Sequence, residues 1–265
     1  MTDWPVDALR AALDARLPGC AVEAVAEIDS TNTELMRRAR AGRAEPVLLV
    51  AGRQTAGRGR LGRPWQSAAA PGDPAASLTF SLGLPLAPRD WSGLSLAVGV
   101  SVAESLDPSG AAGVALKWPN DLWVQDRKLA GILIETALPQ SGAAQRYLVI
   151  GIGLNVGPRE TQGFNTPPAW CRQWLPEATP AGLLLAIAPP LLAEVLAFGD
   201  GGFAPVAARF AARDALRGRE VQLSDGTAGL CEGVGPGGEL QVRTAEGLAQ
   251  VTSSEVSVRP RGAAF

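Results

Sequence analysis

Apolar residues recur at helical spacing at the start of the chain: Val6, Leu9, Leu13 and Leu17 follow Asp3 and Pro5, and Pro18-Gly19 ends the run. One short amphipathic helix is expected there. Thr31 and Glu34 have the spacing of a capping box, so a second helix should run through Leu35 and Met36 to a terminus at Gly42. Strands are expected at Val47 to Val50 and at Leu78 to Leu82. Trp91 to Leu106 reads as a buried helix, because Leu94, Val98, Val102 and Leu106 keep one face. Val114 to Val124 and Leu129 to Thr136 flank the polar Gln125-Asp126-Arg127-Lys128, which is a hairpin pattern. Tyr147 to Val156 is a further strand, in which Gly151 and Gly153 mark a bend or a close backbone approach. Helices follow over Ala181 to Phe198 and Phe203 to Leu216.

After Arg217 the pattern changes. Short apolar runs at Val221 to Leu223, Gly229 to Val234, Leu240 to Val242 and Ala249 to Val251 alternate with Asp225-Gly226 and Pro236-Gly237-Gly238. Strands about ten residues apart with turn signals between them predict a small β-barrel. The chain therefore reads as an α+β fold, a mixed sheet flanked by helices over residues 1–216, followed by a small barrel over residues 217–265. The Ala/Pro/Gly-rich stretch Ala68 to Ala76 reads as an exposed insertion.

Composition narrows the chemistry. The 265 residues are 46% hydrophobic, and 24 Lys+Arg stand against 26 Asp+Glu, so the formal net charge is -2. That is a soluble globular balance without the basic excess of a nucleic-acid binder. There is no histidine, which excludes Ser-His-Asp and Cys-His catalysis, imidazole bases and histidine-ligated metals. Cys20, Cys171 and Cys231 are scattered without C-x-x-C spacing, so neither a disulfide framework nor a thiolate metal site is expected. The N-terminus shows no basic region ahead of an apolar run, and Pro189, Pro190 and Glu194 interrupt the greasiest stretch, Leu183 to Phe198. A cytoplasmic protein with no membrane partner is expected. The segment before the first elements is too short for a winged helix-turn-helix, so no nucleic-acid partner is expected either.

Two segments stand out. Gly57-Arg58-Gly59-Arg60-Leu61-Gly62-Arg63-Pro64-Trp65 interleaves three glycines with three arginines. Glycines let backbone amides approach a ligand and guanidinium forks match carboxylate or phosphate oxygens, so an anionic ligand is implied. The loop lacks both the Gly-Lys-Ser/Thr end of a P-loop and the order of a dinucleotide fingerprint. Lys117-Trp118-Pro119-Asn120-Asp121 and Lys128 then put two cations, an amide and a carboxylate around one hairpin, where pairing can converge them on one pocket. A solvated basic turn or an ordinary Asn-Asp turn would explain each segment alone. Their joint occurrence tells against that.

Taken in order, Gly57-Arg58-Gly59-Arg60-x-Gly62-Arg63-x-Trp65, Lys117-Trp118-Pro119-Asn120-Asp121, Lys128-Leu129-x-Gly131-Ile132-Leu133-x-Glu135 and Gly151-Ile152-Gly153-x-Asn155-Val156 resemble the four signature blocks of biotin-protein ligases. The similarity extends from about residue 27 to 260 and includes Ser30-Thr31-Asn32 and Gln54. It implies a class II synthetase-like catalytic domain with an SH3-like C-terminal barrel, of the monofunctional type without a DNA-binding domain. The implied reaction joins biotin and MgATP into biotinyl-5′-adenylate, then passes the biotinyl group to a lysine of a biotin carboxyl carrier protein. Ser30, Thr31, Asn32 and Gln54 would line the biotin head, with Gly57, Arg58, Gly59 and Arg60 folding over biotin and phosphate. Lys128 would contact the activated carboxyl and the phosphate, and Gly131 would admit biotin close to the backbone. Arg58, Arg60, Trp65, Lys117, Asn120, Asp121 and Asn155 would lie on the nucleotide side. Lys128, Arg58 and Asp121 are the catalytic candidates, with Asp121 orienting either the incoming lysine or a metal-bound water. No protein metal site is implied beyond the Mg2+ that accompanies ATP, and a homodimer is left open. Two other readings are a lipoate or octanoate ligase, whose motif typically holds a histidine, and a noncatalytic biotin-binding module, which would be expected to lose Lys128 or the arginine loop.

Overall fold

The computed structural model describes residues 3–65, 75–138, 145–159, 166–252 and 257–260. Most of the expected Ala68 to Ala76 insertion lies outside the described residues. The chain runs α1 (Val6–Asp14), β1 (Ala21–Ile28), α2 (Thr31–Arg40), β2 (Val47–Gln54), β3 (Ser77–Leu86), α3 (Leu94–Leu106), β4 (Ala115–Lys117), β5 (Asp121–Val124), β6 (Arg127–Ala137), β7 (Arg146–Asn155), α4 (Pro180–Gly201) and α5 (Ala207–Ala211). Five short strands follow: β8 (Glu220–Leu223), β9 (Ala228–Val234), β10 (Leu240–Thr244), β11 (Gly247–Val251) and β12 (Val258–Pro260).

The first seven strands form one sheet in the order β1-β2-β3-β7-β6-β5-β4, with β1 and β2 parallel and every other pair antiparallel. Alternation along β2 divides the sheet's two faces. Leu48 and Val50 join the main core, whereas Val47 and Leu49 pack with Leu35, Met36 and Ala39 of α2. The main core lies under α3 and α4, which pack together, and α1 packs on α4. Strands β3 and β7 at the sheet's centre are covered on both faces; β7 reads as a near-continuous apolar run from Tyr147 to Leu154, whereas β3 alternates Leu78, Phe80, Leu82 and Leu84 with the small Ser77, Thr79, Ser81 and Gly83.

Several expectations shift for identifiable reasons. Strand β1 holds three alanines and two glutamates among its eight residues, a poor strand composition that is tolerated at a sheet edge. Its pattern gave no signal for a strand. The cap of α2 is Ser30, whose Oγ accepts from Thr33 N–H at 3.4 Å, rather than Thr31, whose hydroxyl is engaged elsewhere. Helix α3 starts at Leu94, after a left-handed Gly93, instead of at Trp91. The expected strand from Val114 to Val124 is two strands, divided by a turn over Trp118, Pro119 and Asn120 that contains a cis Trp118-Pro119 bond. The expected helix from Phe203 to Leu216 shrinks to a 3-10 turn and α5, because the chain then leaves to pair Asp214 with Leu116. Helix α4 continues through Pro189 and Pro190. It is long and apolar enough to cross a bilayer, yet nine of its residues are buried inside the fold.

The C-terminal strands form a second antiparallel sheet, ordered β11-β10-β9-β8-β12. Among the described residues its ladder does not join β11 to β12, so the expected barrel is an open sheet there. Its apolar face, including Val221, Cys231, Leu240 and Val242, continues the main core. Two polar links tie it to the larger sheet: Trp118 Nε1 donates to Gly238 O at 3.0 Å, and Arg219 grips Asp126 in the β5–β6 turn at 2.6 and 3.1 Å.

Candidate functional site

A cavity of about 390 Å³ opens between the start of α2, the end of β2, the arginine loop, the β4–β5 turn and the middle of β6 and β7. Ser30, Thr31, Asn32, Gln54, Arg58, Gly59, Arg60, Trp65, Lys117, Asn120, Asp121, Lys128 and Gly131 line it, together with Arg63 and, from β12, Arg259. Gly57 and Asn155 are not in the lining.

One end is neutral and polar. Gln54 Oε1 accepts from Thr31 N at 2.7 Å, with Thr31 Oγ1 lying 3.1 Å away, which leaves its Nε2 as the donor facing other partners. The fully buried Ser81 hydroxyl lies 2.7 Å from Thr31 Oγ1 and 2.6 Å from Asn32 Oδ1. Asn32 Nδ2 donates to Leu133 O at 3.3 Å and to Glu135 Oε2 at 3.0 Å. Both acceptors lack a proton to give, so the amide's orientation is set and Ser81 must donate to Oδ1. A Cβ on Gly151 would intrude on this Asn32 amide, so a glycine is needed where the β7 backbone passes it.

The other end is cationic. The arginine loop closes on itself: Trp65 N donates to Gly57 O at 2.8 Å and Gly59 N to Arg63 O at 2.7 Å, while Leu61 and Gly62 take left-handed backbone at φ 56° and 69°. A Cβ on Gly57 would lie 2.6 Å from Trp65 O, which is why this position belongs to the loop's base and not to the cavity. Arg58 reaches back to Thr33 Oγ1 at 3.1 Å and to the Glu135 carboxylate at 3.2 and 3.3 Å. Arg60 Nη1 contacts Asn120 Oδ1 at 3.4 Å, and burial pushes its pKa down, with Asp121 opposing and Arg63 adding to the shift.

The hairpin residues converge as their spacing implied. Lys128 Nζ pairs with Asp121 Oδ1 at 2.7 Å, and Asn120 locks onto β6 through Nδ2 to Ile132 O at 2.7 Å. Lys117 sits 5.4 Å from the Trp123 ring centroid, and burial pushes its ammonium down to about 8; Asp121 opposes this, while Lys128, Arg63 and Arg60 reinforce it. Trp65 has two cations over its ring, Lys128 Nζ and Arg159 Cζ, each 5.9 Å from the centroid. A Cβ on Gly153 would penetrate that ring, so Gly153 is the seat of Trp65.

Asn155, expected on the nucleotide side, lies behind Lys128. It is 4% exposed, and its Nδ2 donates to Lys128 O and Ala169 O, each at 3.0 Å. Lys128 N donates to Pro167 O, and Ala169 N to Lys128 O, each at 2.8 Å, so the segment 167–169 covers Asn155 while fixing the lysine's backbone. Ser81, Glu135, Trp123, Arg159 and Arg259 are site or supporting residues to which the sequence reading gave no role. Ser81 left a trace, as a polar residue inside an apolar strand; Arg259 left none. Among the described residues no group of three or more acidic or cysteine side chains could hold a metal.

Residues 24–155 match the model of the Biotin/lipoate A/B protein ligase family. Over 254 residues the chain is 35% identical to the bifunctional ligase/repressor BirA of Escherichia coli, covering 92% of this chain and 76% of that protein. It is 33% identical over 241 residues to the biotin--[acetyl-CoA-carboxylase] ligase of Paracoccus denitrificans, covering 88% and 98%. The biotin protein ligase of Aquifex aeolicus in complex with biotin and ATP has a similar structure, with a TM-score of 0.75 at 28% identity over 90% of this chain and 98% of that one.

Proposed function

The chain belongs to the biotin-protein ligase family, and from that premise we propose that it activates biotin with ATP and transfers the biotinyl group to a lysine of a biotin carboxyl carrier protein. In the first step the biotin carboxylate attacks the α-phosphorus, pyrophosphate leaves, and biotinyl-5′-adenylate forms. In the second the acceptor amine attacks the acyl carbon, AMP leaves, and the amine gives up a proton as the amide forms.

The observation that carries this reading is the cavity's polarity. Amide and hydroxyl groups of Asn32, Thr31 and Gln54 stand at one end, and Arg58, Arg60, Arg63, Lys117, Lys128 and Arg259 surround the rest. A neutral ureido ring suits the first end, with Gln54 Nε2 as a donor, and a carboxylate meeting a triphosphate suits the second. A lipoyl or octanoyl chain would offer no acceptor to Gln54 Nε2, whereas the Asn32 amide is already paired within the protein, and this disfavours that acyl group. Attack of a carboxylate on phosphorus demands alignment and charge neutralisation more than a covalent nucleophile, so the lack of histidine is no obstacle. Lys128, with its backbone held on both sides, neutralises charge that develops between the carboxylate and the α-phosphate. Asp121 is the carboxylate that the described lining offers, and Mg2+ carried by ATP needs no more than one or two such ligands beside the phosphates. When bound, that ion supplies charge neutralisation at the phosphates. Trp65 serves the nucleotide side, and Asn155 acts there only through Lys128.

Biotin-dependent exchange of labelled pyrophosphate into ATP tests the first step, and a biotin-sized mass increase on a carrier domain tests the second. Exchange that proceeds equally without biotin, or that is absent with it, would refute the proposal.

A further inference from the structure

Glu135 is outside the cavity lining, yet its carboxylate touches both ends of the site. Oε2 accepts from Asn32 Nδ2 at 3.0 Å, and the two oxygens receive Arg58 Nη2 at 3.3 and 3.2 Å. Thr33 Oγ1 takes the Arg58 Nε–H at 3.1 Å. The guanidinium is therefore held by Nε and Nη2, while Nη1 has no hydrogen-bond partner among the described residues. Arg58 itself lines the cavity between Gly57 and Gly59, whose backbone bonds with Trp65 and Arg63 hold the loop's base but leave the arginine's side chain to be fixed by its own partners. Immobilising a long cationic side chain at the moment of ligand binding costs conformational entropy, and a partner that fixes it beforehand removes that cost from the reaction.

We propose that Glu135 is a positioning residue for adenylation: it presents the Nη1 edge of Arg58 to the anionic part of the reactants while it anchors Asn32 at the head of the site. The inference rests on the activation reaction proposed above. A purely electrostatic role would have the opposite sign. A carboxylate beside an anion site repels the ligand, so neutralising it would strengthen anion binding and speed the reaction. Positioning requires that its loss slow the reaction.

Glu135→Gln tests this in the full-length protein, because the amide oxygen can still accept from Asn32 while the charge that holds Arg58 is gone. Initial-rate pyrophosphate exchange would give kcat and KM, and titration calorimetry the biotin Kd. The expected result is a fall in kcat of tenfold or more with biotin Kd changed less than threefold. Glu135→Ala, which also strips Asn32 of its acceptor, should in addition weaken biotin binding tenfold or more. In an Arg58→Gln background, Glu135→Gln should cost less than a further twofold. Unchanged or faster exchange by Glu135→Gln, or losses that multiply in the Arg58→Gln background, would overturn the assignment. Absence of biotin-dependent exchange in the wild type would instead overturn the activation reading and this role with it.

Discussion

Lys117 is set into the cavity wall, where burial holds its pKa near 8 against an ordinary 10.5. Between those values the folded chain binds fewer protons than the unfolded one, so the stability contribution of this lysine rises with pH across that window. Below about 8 the full cost of a buried charge is carried. A bound polyphosphate restores a partner and returns the pKa toward its ordinary value. ATP binding should therefore take up a substantial fraction of a proton at pH 9 and none at pH 6.5, measured by calorimetry in buffers of different ionisation enthalpy. Lys117→Met should abolish the uptake; wild-type binding without it would place the phosphates elsewhere. Lys128 has a separate expectation. Lys128→Ala should slow single-turnover adenylation by at least about a hundredfold, or ~2.7 kcal/mol, with an unchanged circular dichroism spectrum. A near-normal rate would remove it from the catalytic set. What the sequence could not say about such residues is which face is covered. Asn155 shares the cavity side of β7 with Gly151 and Gly153 by simple alternation, but the segment 167–169, which follows the strand, turns back across it. Glu135 was in plain view inside its block, and only the fold brings it to Arg58.

At the scale of elements, the hairpin and the glycine-bearing strand were legible because both signals are local. A polar turn between apolar runs fixes β5 and β6, and glycines at spacing two in β7 announce close approach on one face. The approaching partners, Asn32 and Trp65, come from elements far along the chain and had no local signal. Strand β1 and the break before β5 escaped detection because each depends on a neighbour: β1 on pairing with β2, and the break on the turn that carries Asn120 to β6. The glycines give a graded test. Gly153→Ala would drive a methyl into the Trp65 ring, whose backbone is tied to Gly57, so both parts must move. It should raise the ATP KM about tenfold or more and lower stability by ~1–3 kcal/mol, read from kinetics and urea unfolding. Gly131→Ala finds its nearest neighbours, Lys128 Nζ and Trp65 Cζ3, at 3.4 Å, an ordinary contact. It should weaken biotin binding with stability unchanged. Equal effects of the two substitutions would contradict the placement of Trp65.

At the scale of the whole molecule, the small C-terminal sheet was recognisable from its evenly spaced turns, but its contribution to the site was not. Residues Ser257 to Pro260 form part of the cavity wall, and Arg259 adds a cation there. Arg219 secures the turn that precedes Lys128, and Gly238 O receives the indole of Trp118 next to Lys117. We propose a boundary near residue 216, yet the apolar residues on either side of it belong to one continuous cluster. A unit of ~50 residues buries too little surface to be stable alone, and removing it bares its counterpart on the larger sheet. A fragment of residues 1–216 should therefore be poorly soluble, and any soluble fraction should ligate biotin at least about a hundredfold more slowly, since a ~2.7 kcal/mol loss is the scale of one missing charge contact at the reacting centre. Arg219→Ala in the full chain separates the two causes. It keeps the core covered and releases the hairpin turn, with the further loss of one long 3.4 Å contact to Ala215 O, so it should lower kcat while leaving solubility and the unfolding midpoint close to wild type. Full activity in a soluble 1–216 fragment would show that the larger sheet positions Lys117 and Lys128 without help.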